Sequence, residues 1–188
     1  QHHKNTFNFF LYYIFVLHRT PLLICLLNSN MRVDNCKTNI YNSINKYLNL
    51  LNVKHLDVTP GNMKSSDDLK YGVKLCNENN GDLFVSIHMN SSGDKVKKAL
   101  GCEVWVYDEK NNKQAENVLK ELEGLGFKNR GVKVNKNFYE LKYTKCKAMI
   151  IEVCFINSEE DCDLYKKVGY DEIKAKIDGL ANDFPDDL

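Results

Sequence analysis

Two residues of this 188-residue chain stand where their side chains demand a chemical explanation. His88 closes the apolar run DLFVSIH and is followed by the polar stretch Met89-Asn90-Ser91-Ser92-Gly93, so its imidazole is expected to emerge at a strand end. Glu152 lies within AMIIEVCF, where an ionised carboxylate is costly unless it is paired or set beside a metal. An imidazole and a carboxylate can ligate a divalent cation or activate water for attack on a carbonyl. Each also has a structural reading. A single His at a strand end is commonly a hydrogen-bonded scaffold residue, and a core Glu can be half of a buried salt bridge, here with Arg130 or Lys142. Residue type alone leaves both readings open. Other features carry less: Asn129-Arg130-Gly131-Val132 reads as a tight turn, Phe138, Tyr139 and Tyr143 as half-buried strand aromatics, and His55 as a structural residue.

The surrounding sequence alternates between helical and strand periodicity. Tyr41, Ile44, Tyr47, Leu48 and Leu51 recur at spacings of three and four, which places them on one helix face, and Lys54 to Val58 is a short strand stopped by Thr59-Pro60-Gly61. Ser66-Asp67-Asp68 caps a helix running to about Asn77, with Leu69, Val73 and Cys76 inward; Asn79-Asn80-Gly81 breaks it before the strand Asp82 to His88. Strand-like GCEVWVY (101–107) precedes a helix from Lys113 to Leu125, and Ala148 to Phe155 is the most apolar strand of all. A last helix starts near Glu159 and runs to Leu180, with a break at Gly169. This order predicts an α/β domain: a mostly parallel mixed sheet with helices on both faces, whose polar loops gather at the C-terminal strand ends.

The expected organisation is one domain over residues 31–182, an acidic tail over 183–188, and an atypical apolar segment over 1–30. The run from Phe7 to Leu27 is broken at His18-Arg19-Thr20-Pro21, so neither half spans a bilayer and no membrane partner is expected. Lys4 and the run Phe7 to Leu17 meet two of the conditions for a signal peptide, but no Ala-x-Ala-like site follows. Met31 opens ordinary globular sequence; the stretch before it reads as translated non-coding or frame-shifted sequence and is expected to pack poorly. With 26 Lys and Arg against 25 Asp and Glu, there is no basic excess to hold nucleic acid. Seven scattered cysteines without a CxxC pair argue against a zinc ribbon or a disulfide framework and suit a reducing compartment. Cys102 and Cys154 read as small buried hydrophobes.

Taken in order, LDVTPGN (56–62), DLFVSIHMN (82–90), GCEVWVY (101–107), GFKNRGVKVNKNFYELKYTKCKAMIIEVCFINSEED (126–161) and the closing helix resemble the zinc-dependent N-acetylmuramoyl-L-alanine amidases of clostridia and their phages. The resemblance implies an enzyme made in the cytoplasm that acts on the bacterial cell wall, as a phage lysin or a host wall-remodelling enzyme. It would cleave the bond between N-acetylmuramic acid and L-alanine in peptidoglycan. It further implies one zinc ion held by two His and one Glu, with His88 as the second His ligand and Glu152 as the catalytic carboxylate. The segment Tyr139 to Thr144 resembles one that lines the groove for the stem peptide, with no single substrate contact assigned. The upstream ligands depart from the pattern. The family's first zinc His ends the first strand in a Gly-Gly-His-like turn, which this sequence lacks; His18, after FFLYYIFVL, is the stand-in. The ligating Glu falls at or next to Arg32, which cannot bind zinc, and the nearest carboxylate is Asp34. Weak zinc binding and slow hydrolysis are therefore expected. Two alternative readings are an impaired amidase fold that only holds muramyl peptide, including a pseudogene-like product, and an unrelated α/β binding protein.

Overall fold

Two strongly apolar runs of this chain, DLFVSIH and AMIIEVCF, pair with each other as parallel strands. The structure is a computed structural model that describes residues 24–28, 48–49, 54–59, 65–109 and 113–169. Its elements in chain order are β1 (Ile24–Asn28), β2 (His55–Asp57), α1 (Ser65–Glu78), β3 (Leu83–Asn90), β4 (Cys102–Val106), α2 (Lys113–Gly124), β5 (Asn129–Val134), α3 (Tyr139–Tyr143), β6 (Lys147–Phe155) and α4 (Glu159–Gly169). The sheet order is β2-β1-β3-β6-β4-β5. Four of its pairings are parallel, and only β4 runs antiparallel to β6, so the sheet is mixed and mostly parallel, as expected.

Alternation along the strands sends successive side chains to opposite faces. Leu83, Val85, Ile87, Met149, Ile151, Val104 and Val106 form one face with Ala115, Val118, Leu119 and Leu122 of α2. Phe84 and Cys25 face the other way and pack with Val73 and Cys76 of α1. Helices therefore cover both faces. The spacing of three and four in α2 is what lets one apolar stripe lie on the sheet while Glu116, Lys120 and Glu123 stay in solvent. Cys102 and Cys154 are both buried, as their apolar surroundings predict. Burial pushes the Cys102 thiol up to about 12, so it stays protonated, and the Cys154 thiol packs against the Met89 thioether at 3.6 Å.

Several expectations need correction. Ile24–Asn28, inside the segment expected to pack poorly, is a strand between β2 and β3, with Cys25 wholly buried. This strand lies beyond Pro21, and its five residues are enough for a buried parallel strand. The turn expected at Asn129 to Val132 is part of β5. Its turn chemistry is present, with Gly131 at φ 85° and its N–H donating to the Asn129 side chain, but it makes an irregularity opposite β4 instead of a reversal. Tyr139 and Tyr143, expected in a strand, sit one helical turn apart on α3 with ring centroids 4.6 Å apart. Of the expected helix over 41–51, only Leu48 and Asn49 are described; both are helical, and Leu48 is wholly buried. The first apolar run from Phe7, together with His18, Arg32, Asp34 and the tail over 183–188, lies outside the described residues.

The loop before β4 is held by the start of α4. Ser158 accepts a hydrogen bond from the Asp161 N–H at 3.1 Å, the N-cap arrangement expected of Ser-x-x-Asp. The wholly buried Asp161 carboxylate then accepts from the backbone N–H groups of Leu100, Gly101 and Phe155. Gly101 itself has φ 98°, and a Cβ there would stand 2.0 Å from the Lys128 carbonyl oxygen. Gly93 has φ 108° with open space around it. Gly93→Ala should therefore cost only the backbone strain, about 1–3 kcal/mol, whereas Gly101→Ala should cost at least ~2 kcal/mol more because a main-chain oxygen cannot step aside. Urea melts of the two variants check this, and equal losses would refute the steric argument.

Candidate active site

Parallel pairing of β3 with β6 places His88 directly opposite Glu152, and antiparallel pairing of β6 with β4 places Glu152 opposite Glu103. Register partners project to the same face, so one row across three adjacent strands reads His88, Glu152, Glu103. The row behind it reads Ser86, Ile150, Trp105. The two residues singled out by sequence are thus brought together across 64 positions of chain, near the C-terminal ends of β3 and β6. A cleft of about 480 Å³ lined by Leu83, Val106, Leu141 and Lys147 lies toward the opposite strand ends, some five residues or roughly 16 Å along the strands.

His88 is nearly covered, with 16% of its side chain exposed. Its Nε2 lies 2.8 Å from Ser86 Oγ and 3.5 Å from Glu140 Oε1. Ser86 Oγ lies 2.6 Å from that same Glu140 oxygen and donates to it. A hydroxyl has one proton; once given to Glu140, Oγ can only accept, so the His88 ring proton sits on Nε2. Glu140 is brought to this position by α3, a helix of five residues whose Thr144 hydroxyl donates to the Glu140 carbonyl at 2.6 Å. Only 3% of Glu140 is exposed. Among the described residues no group of three or more His, Cys, Asp or Glu is arranged to hold a metal.

Arg130 and Lys142, the cations offered as alternative partners for Glu152, contact Glu103 and Tyr143. Arg130 Nε donates to Glu103 Oε2 at 2.7 Å, and the Lys133 ammonium donates to the same oxygen. Glu103 Oε1 accepts from Asn90 Nδ2 at 2.9 Å and from Trp105 Nε1 at 3.1 Å. Lys142 instead lies over the Tyr143 ring. Arg130 also stacks on Phe155 and Lys133 on Trp105, which holds both cations over the sheet. Burial alone would push the Glu103 carboxyl up, but Lys133 and Arg130 more than offset it and hold it below the ordinary carboxylate value.

Sequence reasoning missed Glu103, Glu140, Ser86 and Lys133. Glu103 carried a usable signal, since a Glu inside GCEVWV is as anomalous as one inside AMIIEVCF. Glu140 carried none, because α3 was read as a strand. Glu103→Gln should cost about 3 kcal/mol near neutral pH, since it leaves two partly buried cations without their anion. A depressed folded pKa contributes stability above the unfolded value that is lost as pH falls through the folded one. The gap between wild type and Glu103→Gln in urea melts should therefore be full above the usual carboxylate range and close below it; a gap independent of pH would refute the assignment.

Comparison with known proteins places this geometry in context. Residues 30–181 match the family described as N-acetylmuramoyl-L-alanine amidase. An uncharacterised protein of Clostridium perfringens is 37% identical over 147 residues, covering 77% of this chain and 44% of that protein. The amidase LytC of Bacillus subtilis is 33% identical over 100 residues, covering 50% of this chain and 20% of that protein. The chain thus spans less than half the length of these curated relatives. Among solved structures, the catalytic domain of the CD27L endolysin targeting Clostridia difficile superposes with a TM-score of 0.66 at 26% identity, covering 86% of this chain and 97% of that one. The amidase AmiC2 of Nostoc punctiforme gives 0.65 at 19% identity, covering 88% and 96%, a likeness of fold. With the family match extending over most of its length, this chain belongs to the N-acetylmuramoyl-L-alanine amidase family.

Proposed function

We propose that this domain hydrolyses the amide bond between N-acetylmuramic acid and L-alanine in bacterial peptidoglycan, with zinc as cofactor. The observation that carries this reading is the register of β3 against β6, which sets His88 beside Glu152. The family match and the likeness to an endolysin catalytic domain support the same chemistry. The donor set fits zinc as far as the described residues extend. A partly buried imidazole nitrogen and a buried carboxylate oxygen, 3.5 Å apart, are donors of the kind zinc accepts. The remaining ligands would come from positions outside the described residues, where His18 was the expected stand-in. β1 follows His18 in sequence. Between Asn28 and Arg32 the chain reads Ser29-Asn30-Met31, without a histidine.

Zinc, when bound, supplies a Lewis acid that acidifies water and polarises the substrate carbonyl. The chain's own residues supply the rest. Glu152 takes the proton from the attacking water and returns it to the nitrogen of the leaving L-alanine, so one carboxylate serves as base and then as acid. Arg130 and Lys133 neutralise Glu103, which keeps a second carboxylate on the same row from adding a net negative charge beside Glu152. The exposed aromatics Phe138 and Tyr143 flank α3, where they offer apolar surface to a glycan or peptide. Among the described residues no helix is long and apolar enough to cross a membrane, and the site of action proposed here is the bacterial cell wall.

Glu152→Gln preserves size and removes only the exchangeable charge. It should lower the release of stem-peptide amino groups from purified walls by ~10²–10⁴-fold while leaving zinc content unchanged. Activity within tenfold of wild type would remove Glu152 from the mechanism. A wild-type domain that sediments with walls yet releases no amino groups would instead favour a muramyl-peptide-holding role.

A further inference from the structure

We propose that Glu140 is itself a metal ligand in this chain, sharing one zinc ion with His88; the assignment rests on the zinc-dependent reading above and goes beyond it. Three features of the geometry lead there. The first is spacing. Zinc–nitrogen and zinc–oxygen bonds of roughly 2.0–2.2 Å at a tetrahedral angle put two donor atoms about 3.4 Å apart. Nε2 of His88 and Oε1 of Glu140 are 3.5 Å apart before any ion is present.

The second feature is the charge of Glu140. Two carboxylates on this side of the sheet are almost wholly buried, and their surroundings differ in kind. Glu103, 2% exposed, has two cations and two neutral donors. Glu140, 3% exposed, has among the described residues one neutral donor, Ser86, and one ion-pair partner, the imidazole of His88. An anion taken out of water needs a compensating positive charge, and an imidazole that ligates zinc does so as the neutral ring, so the pair His88 and Ser86 leaves that charge to the ion. A divalent cation between the two donors supplies it. The third feature is orientation. Ser86 sits on the same face of β3 as His88 and donates to Oε1, so it fixes the carboxylate as a second-layer partner fixes a ligand. Ion uptake at Nε2 requires the ring proton to move to Nδ1 and leaves the Ser86–Glu140 bond intact.

The test uses the whole chain with Zn²⁺ and Co²⁺ alone, for wild type, Glu140→Gln, Ser86→Ala and His88→Ala, with circular dichroism to verify folding. Glu140→Gln should weaken Zn²⁺ binding at least ~10-fold in chelator competition and change the visible absorption of the Co²⁺ form, because an anionic oxygen leaves the coordination sphere. An unchanged cobalt spectrum, or a loss of less than tenfold, overturns the assignment and leaves the zinc reading standing. If the wild type takes up no zinc, the zinc reading fails and this ligand fails with it. Should Glu140→Gln not fold, Ser86→Ala decides: it keeps the carboxylate but releases its orientation, so a ~10-fold or greater loss is expected and an unchanged affinity overturns the proposal. His88→Ala should abolish binding in either case, which confirms that the ion measured is the one at this site.

Discussion

The register between β3 and β6 is the constraint on which the rest of the site depends. Side chains alternate faces along a strand, so slipping this pair by one residue would send Glu152 into the apolar layer beneath α2 and bring Ile151 or Val153 opposite His88. That layer enforces the register energetically. Val85, Ile87, Met149 and Ile151 are almost completely buried against Val118, Leu119 and Leu122, and each contributes roughly 1.5–3 kcal/mol that a slip would forfeit. The apolar face thus selects the arrangement of the polar one.

What the register cannot set is the position of the loops and edges around the row. Asp161 and Ser158 supply part of this by tying the backbone of Leu100, Gly101 and Phe155 to the first turn of α4. Asn157 does the same for the stretch after β3, accepting from the Ser92 N–H and donating to the Ser92 hydroxyl and the Asp94 carbonyl. Three polar side chains within five residues beyond one strand, Asn157, Ser158 and Asp161, therefore brace two loops at the site end of the sheet. The segment NSEED, which contributed to the family resemblance, has a structural reason for its composition.

The legible part of this fold was the part governed by periodicity. Strands β3, β4 and β6 and helices α1 and α2 follow from runs long enough to show a period of two or of three and four, and His88 and Glu152 were visible because they interrupt such runs. Short elements were not legible. Strand β1 has five residues in a run divided by His18 to Pro21, and a continuous apolar stretch of that length carries no period. Helix α3 has five residues, too few to separate the spacing of Tyr139 and Tyr143 from strand alternation. Glu140 was lost with that misreading, since a strand would have made it one of several alternating polar residues, whereas one turn of helix turns it onto Ser86.

Three carboxylates, Glu103, Glu140 and Glu152, now stand on one side of one sheet, and their different environments suit them to different work. Glu103 is saturated: four donors occupy its two oxygens, so it can neither take up a proton easily nor turn toward another partner. It is suited to anchoring the cations of β5. Glu140 has one oxygen fixed by Ser86 and directed at an imidazole, a geometry fit for holding a charge still. Glu152 lies between them on the central strand, beside His88 in the same row and less buried than either neighbour. A proton-transfer group must exchange its proton during each turnover, so it cannot be locked as Glu103 is. The proposed mechanism gives that role to Glu152, the carboxylate of the three that is least buried.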